Sequence, residues 1–132
     1  MSSRHSRPRL FVYGTLRRGF ENRYAHLLDG SARYLGTARV RGRLYDLGQY
    51  PGIRLGGDAT QWVTGDLFRL RNADSTLATL DAYEGSEFER VSATAELPGG
   101  ERLPCWIYEY KWDVADDRRI VSGEYRPANR LG

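Results

Sequence analysis

The spacing of apolar positions changes several times along the chain, and each change marks an element. Residues 9–13, Arg9-Leu10-Phe11-Val12-Tyr13, form a short apolar and aromatic run stopped by Gly14, which predicts a buried strand. Over residues 22–28, Tyr24, Ala25, Leu27 and Leu28 are apolar and Gly30 follows, which predicts a short helix with a glycine stop. Over residues 32–46, Tyr34, Val40, Leu44 and Tyr45 are spaced by Gly and Arg, the pattern of long strands bent at Gly36 and Gly42. Tyr50-Pro51-Gly52 and Gly56-Gly57-Asp58 are turn signals. Residues 61–70, with Trp62, Leu67, Phe68 and Leu70, predict another strand. Helical periodicity then runs over Ala73–Glu84, with Leu77 and Leu80 on one stripe, Asn72 or Asp74 as caps and Gly85 as the stop. Residues 88–97 and 101–110 are rich in Val, Ile, Trp and Tyr, and Pro98-Gly99-Gly100 joins them as a hairpin. Residues 119–121 are a candidate last strand. Many strands with two short helices predict an antiparallel α+β domain, its glycine-bent strands forming a curved sheet or a small barrel.

Composition narrows the class. The chain has 132 residues, 40% hydrophobic and 28% charged, which suits one globular domain with a real core and a small pocket. Without repeats or linkers, the domain is expected over residues 9–125, with a lead-in over 1–8 and a tail over 126–132. No run approaches the ~18 apolar residues of a membrane span. The start carries Arg4, Arg7 and Arg9 without the apolar segment of a secretory signal. The expectation is a reduced, cytoplasmic protein that makes no membrane contact. A single cysteine, Cys105, excludes an internal disulfide, and with only His5 and His26 beside it an ordinary Cys/His zinc site is excluded too. The net charge of +3 comes almost wholly from arginine, since Lys111 is the only lysine. Those arginines are interleaved with Asp and Glu, which weighs against a nucleic-acid partner.

Two segments could carry chemistry. Tyr13-Gly14-Thr15-Leu16-Arg17-Arg18-Gly19 contains neither GxGxxG nor a Walker lysine, so dinucleotide and P-loop readings fail. It offers a tight turn whose backbone amides have no evident strand partner. Such amides can hold a carboxylate or carbonyl oxygen, or can simply lead through a β-turn into the helix. The second segment is sharper: Leu77, Leu80 and Glu84 stand at i, i+3 and i+7, so an apolar stripe ends in a carboxylate. Partial burial and the helix C-terminus would both raise the pKa of Glu84, as a general acid or base near neutrality requires. The alternative is a solvated Glu84 or one paired with an arginine. Glu87 and Glu89 flank Phe88 and suit solvent. Asp81, one turn before Glu84, could cap, pair with arginine or orient Glu84. Tyr108 and Tyr110 share one strand face and could line a pocket or belong to the core. Cys105 reads as a small buried apolar residue. Carboxylate-based proton transfer is the chemistry these residues support best.

The ordered set Phe11-Val12-Tyr13-Gly14-Thr15-Leu16-Arg17, Tyr50-Pro51-Gly52, Val63-Thr64-Gly65-Asp66-Leu67-Phe68, Leu80-Asp81-Ala82-Tyr83-Glu84-Gly85 and Ile107-Tyr108-Glu109-Tyr110 resembles the gamma-glutamylcyclotransferase-like family. The resemblance implies a small mixed barrel with a cavity at one end. It also implies an enzyme in which the α-amine of a gamma-glutamyl amide attacks its own γ-carbonyl, giving 5-oxoproline and a free amine. By the same resemblance, Glu84 would be the catalytic acid/base. Tyr13, Gly14, Thr15 and Leu16 would hold the gamma-glutamyl group through their backbone, and Tyr108 or Tyr110 would help line the pocket. The implied partner is a small gamma-glutamyl molecule, with no cofactor or metal. Where many members carry a Tyr on the strand after the glutamate, this chain has Phe88. A non-catalytic module binding a small carboxylated metabolite in the same cavity is the alternative.

Overall fold

Strand β1, Arg9–Val12, is apolar at consecutive positions because both of its faces are covered. Phe11 points into one buried cluster with Val40, Leu44, Ile53, Val63, Leu67 and Ile107, while Leu10 and Val12 point into a second with Leu28, Phe68, Leu77 and Leu80. The first cluster is the inside of a barrel and the second is the layer between barrel and helices. The computed structural model describes residues 9–14, 16–17, 22–56 and 61–125. After β1 come α1 (Arg23–Ser31), β2 (Ala32–Arg41), β3 (Arg43–Asp46), β4 (Pro51–Arg54), β5 (Trp62–Leu70), α2 (Ala73–Glu84), β6 (Phe88–Glu96) and β7 (Arg102–Tyr110).

The strands lie in the order β1-β5-β2-β6-β7-β4-β3, and β1 also pairs with β7. That last pairing closes β1, β5, β2, β6 and β7 into a five-stranded barrel, with β4 and β3 extending from β7. The β1–β7 and β4–β7 contacts are parallel, and the other pairings are antiparallel. The fold is therefore the mixed, mostly antiparallel barrel with two short helices that the strand pattern and the family resemblance together imply. Gly36 sits at a register shift in β2 opposite β5, the expected bend.

Several boundaries differ from expectation. Gly30 does not stop α1: the helix continues to Ser31, and Ala32 enters β2 directly in an extended conformation. Pro51 and Gly52 are strand residues of β4. The turn lies one step earlier, where the Leu47 amide donates to the Tyr50 carbonyl at 2.9 Å. Proline is tolerated there because it opens the strand. Residues 119–121 form no strand; Arg119 makes one isolated bridge with Tyr45, after a short 3-10 turn at Asp116–Arg118. The lead-in over 1–8, Gly57 and Asp58 of the second turn signal and the tail over 126–132 lie outside the described residues.

Candidate active site

Helix α2 presents Glu84 because Leu77 and Leu80 are buried on the barrel wall and position 84 continues their stripe. Gly85 ends the helix with φ of 76°, a left-handed conformation that favours glycine, and its N–H donates to the Asp81 carbonyl. A single 3-10 turn, Gly85–Glu87, then returns the chain into β6.

Glu84 lines a cavity of about 410 Å³. The other walls are the end of β1 and the turn after it (Phe11, Tyr13, Gly14, Leu16), the α1 cap Asn22, the segment Gln49-Tyr50-Pro51, and Tyr83, Glu87, Phe88 and Tyr108. The Glu84 side chain is half-buried, and among the described residues its carboxyl makes no hydrogen bond or ion pair. Burial, and secondarily the charge of Asp81, push its pKa up to about 7.

Asp81 itself is exposed but firmly held. Arg90 donates from Nε to Oδ1 at 2.9 Å and from Nη2 to Oδ2 at 3.1 Å, and the Tyr108 hydroxyl donates to Oδ1 at 2.6 Å. Burial acts against its charge, but the Arg90 and Tyr108 hydrogen bonds outweigh that and lower its pKa. Of the roles open to Asp81 in the sequence, arginine pairing is thus the one seen. The Tyr108 hydroxyl is pushed well above the ordinary phenol range by burial and by Asp81.

The Tyr13 side chain is structural. Its buried hydroxyl donates to the Tyr108 carbonyl at 2.7 Å and accepts from the Ile53 amide at 3.1 Å. What Tyr13 offers the cavity is a ring face and backbone. Gly14 is required by close approach, since a Cβ there would lie 2.9 Å from Cγ of Pro51. Its carbonyl accepts from the Arg17 amide at 3.1 Å, closing the turn. Arg17 pins that turn to the barrel through the buried Asp66 at 3.3 Å and through Glu124 at 3.1 Å. Leu16 lines the cavity, while Thr15 lies outside the described residues.

Tyr110 does not line this cavity. Its ring meets Phe88 edge-on at 5.4 Å, and it faces a neighbouring depression with Arg54, Lys111 and Trp112. Conversely, Asn22, Gln49, Tyr50, Tyr83 and Glu87 line the cavity although no local pattern singles them out for it. Glu87 is not simply solvated: the Tyr50 hydroxyl donates to its Oε1 at 2.6 Å, a bond that, ahead of burial, raises the Tyr50 pKa to about 12. Tyr83 stacks on Tyr24 with ring centroids 4.0 Å apart. Cys105 is buried inside the barrel, which pushes its thiol up to about 12. Among the described residues, no group of three or more His, Cys, Asp or Glu is placed to hold a metal ion, and no helix is long and apolar enough to cross a membrane.

The sequence profile of the family described as "Gamma-glutamyl cyclotransferase, AIG2-like" matches residues 10–127. The chain belongs to this family. Within it, a Vibrio cholerae protein named "Putative gamma-glutamylcyclotransferase" is 38% identical over 118 residues, covering 88% of this chain and 93% of that protein. The gamma-L-glutamyl-butirosin B gamma-glutamyl cyclotransferase of Niallia circulans is 32% identical over 115 residues, or 80% of this chain and 69% of that one. Among solved structures, an AIG2-like protein of Mus musculus superposes with a TM-score of 0.71 at 22% identity, over 89% of this chain and 87% of that one. That likeness establishes a shared gamma-glutamyl cyclotransferase-like fold.

Proposed function

We propose that this protein cyclises the gamma-glutamyl part of a gamma-glutamyl amide to 5-oxoproline and releases the amine, with Glu84 as general acid/base. The observation that carries this reading is a half-buried carboxyl, unpartnered among the described residues and with its pKa at about 7, on the wall of a cavity that also receives the turn after β1. Family membership and the activity for which the Niallia circulans relative is named support the same chemistry.

The reaction asks little beyond folding the substrate and moving protons. The α-nitrogen and γ-carbonyl already belong to one molecule, so the protein has only to hold them in a near-attack conformer. An α-ammonium group cannot attack. Glu84 takes its proton, and the freed amine forms a C–N bond to the γ-carbonyl carbon while the carbonyl π-pair moves to oxygen. Backbone amides of the turn at Gly14 and Leu16 are the candidate donors to that oxyanion, and one such donor can be worth ~3–4 kcal/mol. Glu84 then returns that proton to the leaving nitrogen as the old C–N bond breaks and the carbonyl re-forms. The ring nitrogen gives up its second proton through Glu84 to the released amine, so that a neutral lactam and an ammonium leave and Glu84 is again a carboxylate. A pKa near neutrality lets one carboxyl perform each of these transfers. The scheme draws on no cofactor, and a cytoplasmic setting with a reduced Cys105 completes the proposal.

The test is a panel of gamma-glutamyl amides incubated with purified protein, with 5-oxoproline read by mass spectrometry. Wild type releases product from at least one member, and Glu84→Gln keeps the fold while losing at least about 100-fold in rate. Undiminished turnover by Glu84→Gln overturns the role of Glu84. Tight binding of a gamma-glutamyl compound by wild type, with no product on long incubation, replaces the enzyme by a binding module.

A further inference from the structure

Tyr108 is held at both ends, and neither bond is free for a substrate. Its carbonyl accepts from the Tyr13 hydroxyl at 2.7 Å, and its own hydroxyl donates to Asp81 at 2.6 Å. Tyr13 also accepts from the Ile53 amide at 3.1 Å. Asp81 in turn engages Arg90 through both carboxylate oxygens, and the Arg90 guanidinium lies 4.6 Å from the centre of the Trp106 ring. A continuous line of contacts thus runs from β4 through the end of β1 to β7 and into α2, one turn before Glu84. An exposed ion pair adds little to stability by itself. A bidentate arginine and a tyrosine hydroxyl converging on one carboxylate do something else: they fix its geometry.

We propose that Asp81 is a positioning residue for Glu84: clamped by Arg90 and Tyr108, it sets the last turn of α2 against the cavity wall and keeps a fixed negative charge beside the carboxyl that carries the proton. This rests on the reading of Glu84 as the acid/base. Among the described residues, the titratable groups around Glu84 are Asp81 and Tyr83 on its own helix, Glu87 on the 3-10 turn, Tyr13 at the end of β1, Tyr50 before β4 and Tyr108 on β7, with the Arg90 guanidinium of β6 behind Asp81. The hydroxyls of Tyr13, Tyr50 and Tyr108 are all shifted upward and stay neutral, and of the acidic side chains Asp81 is the one whose charge acts on Glu84. Removing that charge lets Glu84 give up its proton at lower pH, which makes it a weaker base.

Asp81→Asn tests this, because its Oδ1 can still accept from Tyr108 while the charge and one Arg90 bond are lost. The Glu84 carboxyl titration, followed by carbon-13 NMR, moves down by at least about half a pH unit. The ascending limb of kcat/KM moves with it, and kcat falls about tenfold while KM stays within about twofold. Asp81→Glu restores the charge and recovers the limb. Tyr108→Phe keeps the ring but frees Asp81 on one side; it lowers kcat a few-fold, and in combination with Asp81→Asn the losses are less than multiplicative. A Glu84 titration and kcat unchanged in Asp81→Asn overturn the proposal while Glu84→Gln remains inactive. Turnover retained by Glu84→Gln instead removes the acid/base reading beneath it. If Asp81→Asn does not fold, Asp81→Glu and Tyr108→Phe decide, since wild-type kcat in Tyr108→Phe contradicts a clamp.

Discussion

A carboxyl that keeps its proton to neutral pH destabilises the folded chain once that proton is lost. Glu84 has a pKa of about 7 in the fold against an ordinary value of 4.5, so between those limits the native state binds the proton more tightly than the unfolded one. Its contribution to stability is therefore complete below about pH 4.5 and is lost as pH rises through about 7. Glutamine imitates the protonated form in shape and charge. Glu84→Gln should therefore be more stable than wild type by roughly 2–3 kcal/mol at about pH 8, and indistinguishable from it near pH 4.5. Urea denaturation at the two pH values checks this. Equal stability at both would mean that the side chain sits in water, and the proton-transfer role would lose its physical basis. This is the residue-scale cost of an acid/base held inside a cavity wall.

At the scale of elements, one hydroxyl links three strands. Tyr13, at the end of β1, bonds the carbonyl of Tyr108 on β7 and the amide of Ile53 on β4. Strand β4 otherwise meets β7 through the Ile53–Glu109 register pair and the bond from the Leu55 amide to the Glu109 carboxylate at 2.8 Å. Tyr13→Phe leaves two buried backbone groups without that partner, so it should cost about 1–3 kcal/mol. Faster hydrogen exchange at the Ile53 amide would locate the loss, and an unchanged rate there would refute the link. The contrast between α2 and β4 explains how much of this was legible in the chain. Helix α2 was readable to its ends because its information is local: an apolar stripe at Leu77 and Leu80, then Gly85. Strand β4 was not, because Pro51-Gly52 carries turn chemistry and becomes strand only where β7 runs alongside. The same distinction separates the parts of the cavity. Glu84 was marked by its place on a helical stripe and Gly14 by its turn. Gln49 and Tyr50 reach the cavity only through contacts between elements far apart in sequence, and no period within one element encodes that. The hydroxyl of Tyr108 was visible as pocket-lining chemistry, but its bond to Asp81, 27 residues away along the chain, was not.

Over the whole molecule, charge is sorted along the barrel. The described lining of the cavity contains the carboxyl groups of Glu84 and Glu87 and no lysine or arginine. At the opposite end of β1 the register brings three arginines level, with Arg9 beside Arg69 and Arg69 beside Arg33 on adjacent strands. Like charges directly opposite one another in a sheet repel, and such cross-strand pairs are worth about 0.2–1 kcal/mol each. Arg9 is engaged, donating from Nε to the Pro104 carbonyl at 2.7 Å. Arg33 and Arg69 are exposed and make no ion pair among the described residues. Arg69→Glu turns both repulsive neighbours into attractive ones, so it should stabilise the fold by about 1 kcal/mol at low ionic strength. The gain should shrink in about 1 M salt, where the screening length falls to about 3 Å. Turnover should not change, since β1 spans the distance between this row and the cavity. Denaturant titrations at two salt concentrations separate the possibilities: a salt-independent change would assign the effect to packing, and a loss of stability at low salt would show that Arg69 has an acidic partner after all.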